Sequence, residues 1–225
     1  MNKKIIYNIS SLFGRKEALL QVIESIFNQC DTINVALNNY EYIPKELYDK
    51  KIRIFRTDNS KGDAFKFLEL INSDGYFFTI DDDLIYPPDY TKYMIEKFHE
   101  YSKKSIITLH GRTFKQKPIT SYYHSPCDYY PCLRDVPSDV KVEVGGTGVM
   151  CFHTDLFKID INYFKYPNMA DIWIAKYAKL NNIDIMCVKH TNFFLKYIQV
   201  QDTIYDNYHK NDELQTQIIN SIFKY

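Results

Sequence analysis

Apolar residues recur along the chain in two alternating rhythms. Ile5 to Ile9 is a short β-rich run, and from Arg15 to Gln29 the positions Leu19, Val22, Ile23, Ile26 and Phe27 follow the three-and-four spacing of an amphipathic helix. Ile33 to Leu37 and Ile52 to Arg56 read as further strands, closed by Asn38-Asn39 and by the polar stretch Thr57 to Gly62. A helix is expected through Phe65, Leu68 and Ile71. Asn72-Ser73-Asp74-Gly75 then turns the chain into Tyr76-Phe77-Phe78-Thr79-Ile80, an apolar run of the kind found where a parallel sheet is covered on both faces.

Past Pro87-Pro88 the rhythm continues with a helix from Asp89 to about Tyr101 and a strand at Ile106 to Leu109. Gly111 to Ser138 has no clear period and is rich in Tyr, Pro, Ser, His and Thr. A stretch of that length points to a binding lid or acceptor loop, with a functionless insertion as the alternative. Val142 to Phe152 is expected to form one glycine-interrupted strand. A helix over Ala170 to Leu180, strands at Ile183 to Val188 and Phe193 to Tyr197, and a short helix from about Glu213 complete the chain. Alternating strands and helices predict an α/β fold, Rossmann-like, with a mostly parallel central sheet and helices on both faces. In such folds ligands gather outside the carboxyl ends of the strands.

Composition narrows the partners. The 225 residues suit a single domain, and the 28 basic residues balance the 28 acidic ones. No global field draws the chain to nucleic acid or anionic lipid, so no nucleic-acid partner and at most peripheral membrane contact are expected. The N-terminus lacks the pattern of a signal peptide and no segment approaches the length of a membrane helix, so a cytoplasmic location follows, with the inner face of the cytoplasmic membrane as its variant. Of the five cysteines only Cys127 and Cys132 lie close together, near His124. A second clustered pair for a zinc site is missing, and free thiols are the reading. The 20 Tyr and 15 Phe suit core edges and sugar platforms equally.

The chemistry concentrates at Asp81-Asp82-Asp83, directly after the apolar run. Like charges held together raise one another's pKa, a cost that a bound Mn²⁺ or Mg²⁺ removes, since hard cations favour carboxylate oxygen and bridge it to phosphates. In an extended chain Asp81 and Asp83 point to one side and Asp82 to the other. The alternative is a solvated acidic turn.

Asp74 to Pro88, with its glycine, buried strand, acidic cluster and following proline, resembles the signature of GT-A-fold glycosyltransferases, in particular glycosyltransferase family 2. The resemblance implies a metal-dependent transfer of a sugar from a nucleotide sugar, UDP-sugar favoured, to a glycan or lipid-linked saccharide. Inversion by single displacement accompanies it, and size together with the lack of targeting signals suggests a place in bacterial surface polysaccharide assembly. It divides the domain 1–225 into a nucleotide-sugar half, 1–110, and an acceptor half, 111–225, and a homodimer is allowed. Asp81 and Asp83 would hold the cation, with Asp81 and Asp82 meeting the diphosphate. His209, in Tyr208-His209-Lys210, matches a late metal ligand, or is simply solvated while Lys210 meets the diphosphate.

The same resemblance assigns Ser10 and Arg15, in Ser-Ser-Leu-Phe-Gly-Arg, to the nucleotide, although Ser-Leu-Phe-Gly replaces the family's Pro-Thr-Tyr-Asn. Asn38 and Asn39 stand where the family carries a base-reading aspartate. Lys61 and Gly62 stand at its asparagine-glycine turn, or form an ordinary surface turn. Gly146 and Thr147 stand in the segment beside donor sugar and acceptor, with a ligand-free β-bulge as the alternative. Asp171, in Met-Ala-Asp-Ile-Trp, matches the catalytic base, a role compatible with capping its helix, and Trp173 would stack on sugar. Two other readings stand beside this one: a sugar-phosphate nucleotidyltransferase, and a non-catalytic carbohydrate-binding or scaffolding module.

Overall fold

The computed structural model describes residues 2–201 and 210–223. The chain opens with β1 (Ile5–Leu12), α1 (Lys16–Ile26) and a 3-10 turn at Phe27–Gln29. β2 (Thr32–Asn38), β3 (Ile52–Thr57), a 3-10 turn at Gly62–Phe67, β4 (Tyr76–Ile80) and the short β5 (Leu84–Ile85) follow. Next come α2 (Tyr90–Glu100), β6 (Ser105–Thr108), β7 (Gly111–Phe114), β8 (Cys127–Tyr130), β9 (Val140–Val142), β10 (Val144–Gly145) and β11 (Val149–His153). α3 (Ala170–Leu180), β12 (Asp184–Cys187), β13 (Lys196–Tyr197) and α4 (Glu213–Ile222) complete it.

Eight strands make one sheet in the order β3-β2-β1-β4-β11-β6-β12-β9. β1 is parallel to β2 and β4, β2 to β3, and β6 to β12, whereas β11 and β9 run against their neighbours. Every residue of β2 and β4 is buried, which is why both read as apolar runs rather than alternations. The fold is therefore mixed α/β around a mostly parallel sheet, with one continuous apolar core.

Neighbouring residues of β4 show how the two faces are covered, since successive side chains point to opposite sides. Phe78 stacks on Tyr7 with centroids 4.7 Å apart, and the Tyr7 hydroxyl meets Thr91 Oγ1 of α2 at 2.6 Å. Gln29, just after α1, accepts hydrogen bonds from the Thr91 amide and hydroxyl, so α1 and α2 share that face. Phe77 turns the other way, onto Phe67 and Phe152. Phe152 stacks on Phe157, which packs against Tyr177, so the Gly62–Phe67 turn and α3 cover the second face.

Three expectations are corrected. The helix through Phe65, Leu68 and Ile71 is instead the Gly62–Phe67 3-10 turn and a succession of turns. Its buried apolar side chains are Ala64, Phe67 and Leu70, spaced by three as a 3-10 winding requires, while Ile71 is exposed. The aperiodic stretch after Gly111 contains an antiparallel hairpin, β7 with β8, to which β10 adds a third strand. The single strand expected over Val142 to Phe152 is three, because Gly145 leaves the main sheet for the hairpin and the chain returns only at Val149.

α4 packs on α3 and pins the segment between β7 and β8. Asn220 exchanges hydrogen bonds with the Ile119 backbone, and Thr216 Oγ1 accepts from the Tyr122 amide. The five cysteines are free. Among the described residues, no helix is long and apolar enough to cross a membrane.

Candidate active site

The acidic triplet leaves β4 at the carboxyl edge of the parallel strands, where antiparallel β11 begins. Tyr86 fixes the crossing: its hydroxyl donates to the Gly148 carbonyl at 2.5 Å and accepts from the Asp81 amide at 3.0 Å. Gly148 leaves Asp81 this place, because a Cβ there would sit 1.8 Å from Asp81 Oδ2. Asp81 is thereby aimed into a cavity of about 210 Å³ that Asp63, Lys66, His110 and Asp171 also line. Asp81 Oδ1 forms an ion pair with Lys66, whose side chain is 2% exposed.

Asp82 points the opposite way, as the extended geometry predicts. Arg15 Nη1 donates to its Oδ1 at 3.0 Å, while Oδ2 is buried without a hydrogen-bond partner. Burial raises its pKa against the pull of Arg15. The Asp83 carboxyl is pushed up to about 7 by burial and by the charges of Asp81 and Asp82, and it lies outside the cavity lining. Among the described residues, no three His, Cys, Asp or Glu side chains are drawn together as a metal cage. Asp81 and Asp82 are instead each turned onto a basic side chain.

Asp171 enters the cavity from the first turn of α3. Its Oδ1 receives two hydrogen bonds from Thr147, from the amide at 2.7 Å and from the hydroxyl at 2.6 Å, so Thr147 orients the carboxylate. Among the described residues its Oδ2 has no partner. Capping of α3 falls to another residue: Met169 at the N-cap makes no side-chain bond, and Asp63 accepts from the Ala170 amide at 3.2 Å. Burial pushes the Asp63 carboxyl up to about 7 despite the nearby Lys66. His110 is pushed down to about 4, chiefly by burial, and its ring is neutral at pH 7. A Cβ on Gly146 would lie 2.7 Å from that of His110, so the glycine makes room for the imidazole.

The residues assigned to the nucleotide fall into two groups. Asn38 is buried, and its amide is consumed internally: it donates to Ser10 Oγ, Asn59 Oδ1 and the Gly62 carbonyl, and accepts from Thr57. Ser10 Oγ in turn donates to Gly62 O at 3.1 Å. This network knits the ends of β1, β2 and β3 together and engages the side chains of Asn38 and Ser10 in contacts within the chain. Lys61 donates to Phe164 O at 2.9 Å, and Gly62, with φ +55, is demanded by its turn and by Asn168, whose Oδ1 a Cβ would overlap. Arg15 and the exposed Asn39 stay at the rim. Arg15 borders a second cavity, about 420 Å³, beside the half-exposed Phe13 and Gln201.

Trp173 stands apart from the Asp171 cavity. It packs against Tyr163 and Tyr166 on the flank of α3. His209 lies outside the described residues. Sequence reasoning passed over Asp63, Lys66, His110 and Gly148. The signal for the first two was present: a carboxylate and an ammonium three residues apart, embedded in the apolar run Ala64 to Leu68, lie on one side of a 3-10 turn. Comparison of the chain with protein-family models and with curated proteins finds no match for either.

Proposed function

We propose that this chain is a glycosyltransferase of the GT-A type, which moves a sugar from a nucleotide sugar, UDP-sugar foremost, to a hydroxyl of a glycan or lipid-linked saccharide. The observation that carries the reading is the placing of Asp171 and Asp81 on one small cavity, with one Asp171 oxygen locked by Thr147 and the other without a partner among the described residues. An acceptor hydroxyl must lose its proton as it attacks the anomeric carbon, and a carboxylate held rigidly through one oxygen presents the other as the base. Thr147 keeps that carboxylate from turning away between turnovers.

The donor set fits a hard divalent cation. It offers carboxylate oxygens, with a carboxyl at Asp83 that burial and the charges of Asp81 and Asp82 hold up to about 7. Asp81 and Asp83 would hold Mn²⁺ or Mg²⁺. Once bound, the cation would supply Lewis-acid stabilisation of the departing diphosphate. Arg15, anchored by Asp82 and by the Gln201 carbonyl at 2.9 Å, offers positive charge on the same rim. With Asn38 and Ser10 engaged within the chain, recognition of the nucleoside falls to the groove beside Phe13, where a flat base has an exposed ring to lie against.

The test is incubation with Mn²⁺ and a panel of sugar nucleotides, followed by assay for nucleoside diphosphate. The native protein is expected to release it, slowly by hydrolysis and faster with acceptor. Asp171→Asn should keep donor affinity and lose at least about a hundredfold in transfer. Pyrophosphate as the product would establish nucleotidyl transfer instead, and the absence of any nucleotide binding would leave a carbohydrate-binding module.

A further inference from the structure

Lys66 is the only lysine or arginine among the described residues that line the Asp171 cavity, and its ammonium is almost wholly withdrawn from water. Three carboxylates line that cavity with it, those of Asp63, Asp81 and Asp171. It pairs with Asp81 Oδ1, one of the oxygens a divalent cation would need. Gly148 closes the other side: with no Cβ, it lets Asp81 Oδ2 press against the start of β11, so the carboxylate has little room to offer both oxygens elsewhere. Asp63 lies one 3-10 turn before Lys66, on the same side, and gives the ammonium a second carboxylate to turn to.

We propose that Lys66 is a built-in counter-ion that a divalent cation must displace from Asp81, so that metal and nucleotide are bound together and metal alone is held poorly. The inference rests on the reading of Asp81 as a metal ligand. A dication entering by itself would bring two positive charges beside a buried ammonium in a medium that screens them weakly. A diphosphate carries compensating negative charge, so the pair enters the site with little change in its balance. Lys66 swings toward Asp63 as the pair arrives. It acts through Asp81 and is a positioning residue.

The experiment titrates the protein with Mn²⁺ and follows free Mn²⁺ by electron paramagnetic resonance, with and without uridine diphosphate. In the native protein the nucleotide should tighten Mn²⁺ binding roughly tenfold or more, a coupling of ordinary allosteric size. Lys66→Met should bind Mn²⁺ alone roughly tenfold tighter than the native chain and lose most of that coupling, while Lys66→Arg keeps it. Unchanged or weaker Mn²⁺ binding by Lys66→Met, with the coupling intact, would overturn the proposal. Should melting curves show that Lys66→Met does not fold, Asp63→Asn decides the matter. Without its second carboxylate Lys66 stays on Asp81 and Mn²⁺ binding with the nucleotide weakens; equal binding overturns the idea. Asp81→Asn separates the two levels. If it binds Mn²⁺ as the native chain does, the metal reading of the triplet fails and the Lys66 inference with it. If it loses Mn²⁺ while Lys66→Met behaves like the native chain, only the role of Lys66 fails.

Discussion

Gly148 shows how much of this site depends on single atoms. Its φ lies outside the left-handed range, so the backbone would accept an alanine, yet the added methyl would overlap Asp81 Oδ2. Gly148→Ala should therefore fold with a melting temperature within a few degrees of the native value, and lose at least about tenfold in Mn²⁺-dependent affinity for uridine diphosphate. Calorimetry checks this, and an unchanged affinity would detach Asp81 from the ligand. The same scale explains what could be read in advance. The triplet and Asp171 stand in a recognisable motif context, whereas the contacts of Asn38 with Ser10, Thr57 and Asn59 join residues far apart in the chain and leave no local pattern. Lys66 escaped notice because a charge in an apolar run ordinarily reads as a solvated face.

Among the elements, the strands and longer helices were legible because each carries a period of its own: α3 and α2 fall within a residue of their expected ends. The Gly62–Phe67 turn was not, since a repeat of three sampled over two turns passes for one of 3.6. The β7–β8 hairpin was hidden by tyrosines on both of its faces, which blur the alternation on which a strand is recognised. What fixes the elements to one another at the site is the Tyr86 hydroxyl, which joins the end of β4 to the start of β11. Tyr86→Phe keeps the ring and strips a buried carbonyl and amide of this partner. Urea unfolding should register a loss of about 1–3 kcal/mol, with a midpoint shift and an unchanged slope. A loss near zero would mean that the strand pairing alone holds the triplet in place.

For the whole molecule, charges that cancel in total are far from cancelled locally. Asp63 has a folded pKa of about 7, above its unfolded value near ~3.9, so the folded state holds this proton more tightly. The resulting stabilisation is complete below about pH 4 and drains away as pH rises toward 7. Asp83 acts in the same sense. His110, folded near 4 and unfolded near ~6.5, opposes them: its contribution is lost as pH falls through that interval. Thermal melts without metal should show Asp63→Asn gaining on the native protein between pH 5 and pH 8 and exceeding it by a few degrees at pH 8, where the native chain must keep a buried carboxylate ionised. Parallel curves for the two proteins would remove Asp63 from this account.

The hydrogen bond from the Ala170 amide to Asp63 has a bearing on engineering. It bolts the helix that carries Asp171 to the turn that carries Lys66, so the two portions of the chain are not interchangeable modules. A chimera that imports a foreign C-terminal portion would inherit a misaligned residue at position 171 unless residue 63 and the first turn of the incoming helix travelled as a matched set.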